Sequence, residues 1–184
     1  MKLTIALATA CALMSAPVFA QTPSQTNAPQ TNAARTTAVA PANAAISTPD
    51  FVNRIVMSDM FDIQAGKLAE QKGDSSDKSF ARGEVNYHTK LADDIKNMVN
   101  SGKVHASIAT ALDHEYQQKL DQLQKLPSKQ FDEAYKKDQV QNHEDLAMTL
   151  QRYAQNGDNP ELKQWASKTL PEVRQHLTDA EKLN

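Results

Sequence analysis

The chain has 184 residues, 40% hydrophobic and 5% aromatic, with 20 Lys and Arg against 22 Asp and Glu for a formal net charge of −2. That length argues for one folded domain, and the charge balance excludes the basic footprint that nucleic-acid binding requires. A single cysteine leaves no internal disulfide to read from the chain.

Residues 1–20 have the order of parts of a signal sequence: Lys2, an apolar stretch from Leu3 to Met14, then Val18-Phe19-Ala20 as a cleavage site. The stretch is too short and too rich in Ala and Thr for a permanent anchor, which needs about 20 apolar residues. Cys11 lies inside it, but Ala8 stands where a lipid-attachment signal usually has Leu, so a lipoprotein is not expected. The processed chain would have no thiol, which suits an oxidising periplasm and excludes thiol-based catalysis. The expected location is periplasmic or outer-envelope associated, with no membrane span in the mature chain.

Residues 21–48 are rich in Gln, Thr, Asn, Ala and Pro. Their few large apolar groups cannot offset the conformational entropy of ordering, which predicts a disordered linker. Residues 49–184 are the expected folded domain. Ser47-Thr48-Pro49-Asp50 reads as a helix start, and a first helix runs to about Lys72 with Ile55, Met57, Met60, Phe61, Ala65 and Leu68 as core candidates. Gly73-Asp74-Ser75 breaks it.

A second helix is predicted from about Ser76 to Asn100, with Phe80, Glu84, Tyr87, His88, Leu91, Ile95 and Met98 on one face. A connection follows, containing a shorter helix from about Ala106 to Lys125. A third long helix spans about Ser128 to Asn156, with Ser128 as its cap. The fourth starts at Asn159-Pro160-Glu161 and carries Leu162, Trp165, Ala166, Thr169, Leu170, Val173, Leu177 and Ala180 inward. Pro171 should kink it.

No strand pattern occurs. The class is all-α, and two hairpins of long helices joined by one long connection have the topology of a ferritin-like antiparallel four-helix bundle, here with a short extra helix in the crossover.

Three of the five histidines sit where a solvated one should not. His88, His143 and His176 fall within the apolar stripes of three different helices, whereas His114 points away from its stripe and His105 lies in or beside a loop. Imidazole is the commonest nitrogen ligand for metals, and bundle cores are where facing helices build such sites. Glu84 and Glu172 each precede a stripe histidine by four residues, so each pair occupies neighbouring turns of one helix. The candidate metal set is therefore His88, His143, His176, Glu84 and Glu172, for zinc, iron or copper. The bland reading is a set of core histidines satisfied by hydrogen bonds, with Glu172 closing a capping box after Thr169.

The chain has no Glu-x-x-His pair, Gly-rich phosphate loop, nucleophile elbow or His-Glu-x-x-His motif. No catalytic residue is nominated, and an enzyme is the less favoured expectation.

Tyr87-His88-Thr89-Lys90, then Phe131-Asp132, Tyr135, Val140 and His143, then Leu170-Pro171 and His176-Leu177 together resemble the bacterial domain of unknown function 4142 family over about residues 51–183. That resemblance implies an exported, ferritin-like protein and no particular activity. Tyr87 departs from the family pattern, which usually has an acidic residue there. Three expectations stand: a metal-binding envelope protein; a metal-free structural or interaction module with an envelope protein partner; and a di-iron oxidase, disfavoured by the missing Glu-x-x-His pairs.

Overall fold

The computed structural model describes residues 45–183. The expected signal sequence, Cys11 and most of the expected linker lie outside the described residues. Five helices follow in order: α1 (Thr48–Lys72), α2 (Ser75–Asn100), α3 (His114–Lys125), α4 (Ser128–Asn156) and α5 (Pro160–Glu181). All regular structure among the described residues is helical, and no described helix is long and apolar enough to cross a membrane.

Local chemistry sets the helix ends. The Ser47 hydroxyl accepts from Asp50 N–H at 3.3 Å, with Pro49 in the first turn. Asp74, Asp113 and Asn159 cap α2, α3 and α5 by accepting from the backbone N–H three residues on, at 2.9, 2.9 and 3.0 Å. Gly102 takes φ +75° just after α2, a conformation that costs glycine nothing. Packing begins before the first helix, because Ile46 is buried in the core.

Two expectations are corrected. The crossover helix begins at His114, not near Ala106. The Asp113 carboxylate stops it by taking the Tyr116 N–H, and residues 106–113 run as irregular backbone whose Ala106, Ile108 and Ala109 lie against the core. Ser128 does not cap α4: it is already helical, Pro127 holds the cap position, and no side-chain cap bond forms. Helix α5 continues through Pro171.

The four long helices pack as a closed ring, α1 on α2, α2 on α5, α5 on α4 and α4 on α1, so α1 and α5 occupy opposite corners. Helix α3 lies across α1 and α4. Gly66 sets the closeness of α1 and α2: a Cβ there would stand 2.8 Å from Val85 Cγ2. Two apolar clusters fill the bundle. One contains Phe51, Ile55, Ile95, Leu150, Tyr153 and Leu162, and the other Phe61, Ala65, Leu123, Phe131 and Tyr135. Between them the bundle buries a polar layer of Ser58, Asp59, Asp62, Glu84, His88, Gln139, Asn142 and His143. Side chains of this kind are rarely buried unless paired or coordinating metal.

Candidate metal centre

The layer is built from one or two turns of each long helix. On α1 the run Ile55, Asp59, Asp62, Gly66 and Ala69 follows a three-and-four spacing, and all five are buried, so both aspartates point where a core residue would. Helix α2 contributes Glu84 and His88, α4 contributes Gln139, Asn142 and His143, and α5 contributes His176.

Each buried imidazole has one nitrogen committed. His88 Nδ1–H donates to Asp59 Oδ1 at 2.8 Å, and His143 Nδ1–H donates to the Gln139 carbonyl at 2.9 Å. With Nδ1 of each ring engaged in this way, both rings present Nε2 to the centre. There the two Nε2 atoms stand 3.4 Å apart. Glu84 Oε2 is 3.2 Å from His88 Nε2 and 3.0 Å from His143 Nε2. Asp62 Oδ2 is 3.2 Å from His88 Nε2. Glu84 Oε1 is hydrogen-bonded to His176 Nδ1.

A further set of groups holds these donors in position. Gln139 Nε2 donates to Asp62 Oδ1 at 3.0 Å and Asn142 Nδ2 to Asp62 Oδ2 at 2.6 Å. Asn142 Nδ2 also contacts Ser58 Oγ at 2.9 Å, and Tyr116 O–H donates to Asn142 Oδ1 at 2.8 Å. His176 is stacked on Tyr87 with ring centroids 4.1 Å apart and lies parallel to His143 at 6.0 Å. Of the cluster's imidazoles and carboxylates, only His176 reaches solvent, with 25% of its side chain exposed.

With both buried rings neutral, Nε2 of His88, Nε2 of His143 and the carboxylate oxygens are all acceptors. A cluster of lone pairs in a dry interior requires positive charge, from protons or from a cation. Burial alone would push both imidazoles down, but Asp62, Asp59 and Glu84 together raise His88 well above its ordinary value, and Glu84 with Asp62 raises His143. Burial also works against ionised Glu84, yet the three imidazoles hold its carboxyl well below the usual range. Asp59 responds the other way: burial pushes it up to about 6, against the opposing pull of His88. Its Oδ2 is buried without a partner.

Four of the five residues nominated from sequence come together here: Glu84, His88, His143 and His176. Glu172 does not join them; it lies exposed on α5. Asp62 and Asp59, neither of them among the residues nominated from sequence, complete the cluster. The signal that would have found them is their place on the same stripe as Ile55, Gly66 and Ala69. Among the described residues, two groups of three have donor atoms all within 4.8 Å of one another: Asp62, His88 and His143, and Glu84, His143 and His176.

A family model described as domain of unknown function (DUF4142) matches residues 28–183. The chain belongs to this family. Among solved structures, the DUF4142 chain is similar in fold to CopM in the Cu(II)-bound form, with a TM-score of 0.62 and 15% sequence identity. The similarity covers 76% of this chain and 96% of CopM; at that identity it speaks to the fold alone. A search of curated proteins finds no match.

Proposed function

We propose that this DUF4142 protein is an exported ferritin-like bundle that binds one divalent transition-metal ion through His88, His143 and His176, with Glu84 and Asp62 as carboxylate donors. One observation carries the reading: the triangle of His88 Nε2, His143 Nε2 and Glu84 Oε2, with sides of 3.4, 3.0 and 3.2 Å and no donor hydrogen inside it when the rings are neutral. Ligands about 2.0–2.1 Å from a tetrahedral ion lie about 3.3 Å from each other. The triangle therefore has the dimensions of one face of a coordination shell.

The donor chemistry narrows the ion. Imidazole and carboxylate, the donors of both groups, suit Zn(II), Fe(II) and Cu(II). Cu(II) stands at the top of the affinity order for such ligands, and the fold similarity to a Cu(II)-bound protein agrees with it. Asp59 on His88 and the Gln139 carbonyl on His143 are the outer partners that metal-binding imidazoles ordinarily have. The leader pattern of residues 1–20 supports export.

The test is elemental analysis of purified protein offered Cu(II), Zn(II) and Fe(II), then dialysed. The expected result is one equivalent of Cu(II), abolished in His143→Ala. No uptake of any of the three ends the reading.

One observation favours a metal-free module of the cell envelope: each of the three imidazoles already lies within hydrogen-bond distance of a carboxylate, so protons could close the network. A chelator separates the two, because it lowers the melting temperature of a metal-loaded protein by several degrees and leaves a proton-closed one unchanged. A di-iron oxidase is opposed by the sharing of His143 between both donor groups, which denies two ions an imidazole set each.

A further inference from the structure

The two donor groups share His143 but differ in everything else that governs access. Asp62, His88 and His143 are all sealed from solvent, whereas the group of Glu84, His143 and His176 reaches the surface through the part-exposed His176 ring. Asp62 comes from α1 and His176 from α5, at opposite corners of the bundle. From the Asp62 side the way is shut. A surface cavity of about 490 Å³ between α1, α3 and α4 ends on Ser58 and Asn142, which are 3% and 2% exposed, and Asn142 is bonded to Asp62 itself.

We infer that the centre is a two-position relay for a single divalent ion: Glu84, His143 and His176 form an outer position that captures it, and Asp62, His88 and His143 form an inner one that retains it. This rests on the metal-binding function proposed above. His143 Nδ1 is occupied by the Gln139 carbonyl, so only Nε2 is free to ligate and one ion at a time can use it. Glu84 Oε2 lies 3.0 Å from His143 Nε2 and 3.2 Å from His88 Nε2, so an ion moving inward keeps His143 and Glu84 while exchanging His176 for His88 and Asp62. The direction follows from charge and burial. The inner position has the Asp62 carboxylate, fixed by two amide donors, and an imidazole backed by Asp59. In a drier setting those charges act on a cation more strongly.

The experiment mixes purified protein with aqueous Cu(II), freezes it at intervals and follows the electron paramagnetic resonance signal. Wild type should give two successive Cu(II) signals and a final occupancy of one. His176→Gln should lose the first signal and load about tenfold more slowly. Asp62→Asn should stop at the first signal and release Cu(II) to a chelator about tenfold faster. A single unchanging signal in wild type, two ions bound at once, or an uptake rate indifferent to His176→Gln overturns the relay while leaving metal binding intact. The wild-type time course decides the matter even if a variant misfolds. A wild-type chain that takes up no Cu(II) defeats the proposed function and the relay together.

Discussion

Glu84–His88 on α2 and Glu172–His176 on α5 have the same composition and the same spacing, yet the bundle treats them differently. Both members of the first pair are buried and face the centre. In the second, His176 reaches the centre with part of its ring in water, and Glu172 is exposed. The difference is phase. On α5 the buried positions Leu162, Ala166, Thr169, Val173 and Ala180 define the inward direction; at 100° per residue His176 lies roughly 50° from it and Glu172 roughly 90°. On α2, by contrast, Ala81, Glu84, His88, Leu91 and Ile95 are all buried on one stripe. A spacing of four brings two side chains together; only the helix's orientation decides whether they meet a third.

The sharpest way to break that contrast is to remove each glutamate. Glu84→Gln is expected to weaken Cu(II) binding by more than about 100-fold, since it takes away a direct donor, whereas Glu172→Gln should change it less than about twofold. Calorimetric titration reads both, and comparable losses would erase the distinction. The next effect is smaller. Asp59→Asn keeps a partner for His88 Nδ1 but removes the charge behind the ring, and should cost about 10- to 100-fold in affinity.

Proton linkage sharpens the same comparison without any substitution. In the metal-free protein His88 and His143 are raised above the ordinary 6.5, so the folded state binds more protons there and stability falls as pH rises beyond 6.5. Glu84 is lowered from 4.5, so its contribution is present above pH 4.5 and lost as pH falls further. The melting temperature of metal-free protein should drop on going from pH 6.5 to 8.5. The gain from added Cu(II) should grow over that interval, because the ligands must shed their protons to bind. A metal-free melting temperature that climbs with pH would contradict this account of the network. The smallest effect belongs to Tyr87, whose hydroxyl is buried without a partner. Tyr87→Phe keeps the stacking on His176, so affinity should stay within about twofold and unfolding free energy within about 0.5 kcal/mol or rise slightly. A larger loss in chemical denaturation would show that the hydroxyl has a role.

Much of this was legible in the chain. The four long helices follow from apolar periodicity and from capping residues such as Ser47 and Asn159, and the convergence of His88, His143 and His176 follows from their places on three stripes. Asp59 and Asp62 were obscured because a carboxylate on a helix ordinarily marks the solvent face, and only a buried cation or a proton network makes it a core residue. Glu172 stands outside the cluster because a spacing of four carries no information about phase relative to neighbouring helices. The start of α3 at His114 depended on the Asp113 cap competing with an upstream apolar pattern that packs without being helical.

The proposed function requires that buried imidazoles, rather than surface groups such as the exposed His105 and His114, hold the ion. Pulsed electron paramagnetic resonance of protein loaded with one equivalent of Cu(II) addresses it directly, by detecting the remote nitrogens of coordinated imidazoles. The account predicts at least two imidazoles on the ion in wild type, unchanged in a His105→Ala, His114→Ala double variant and lost in His143→Ala. A signal that survives His143→Ala but vanishes with the surface pair would contradict it.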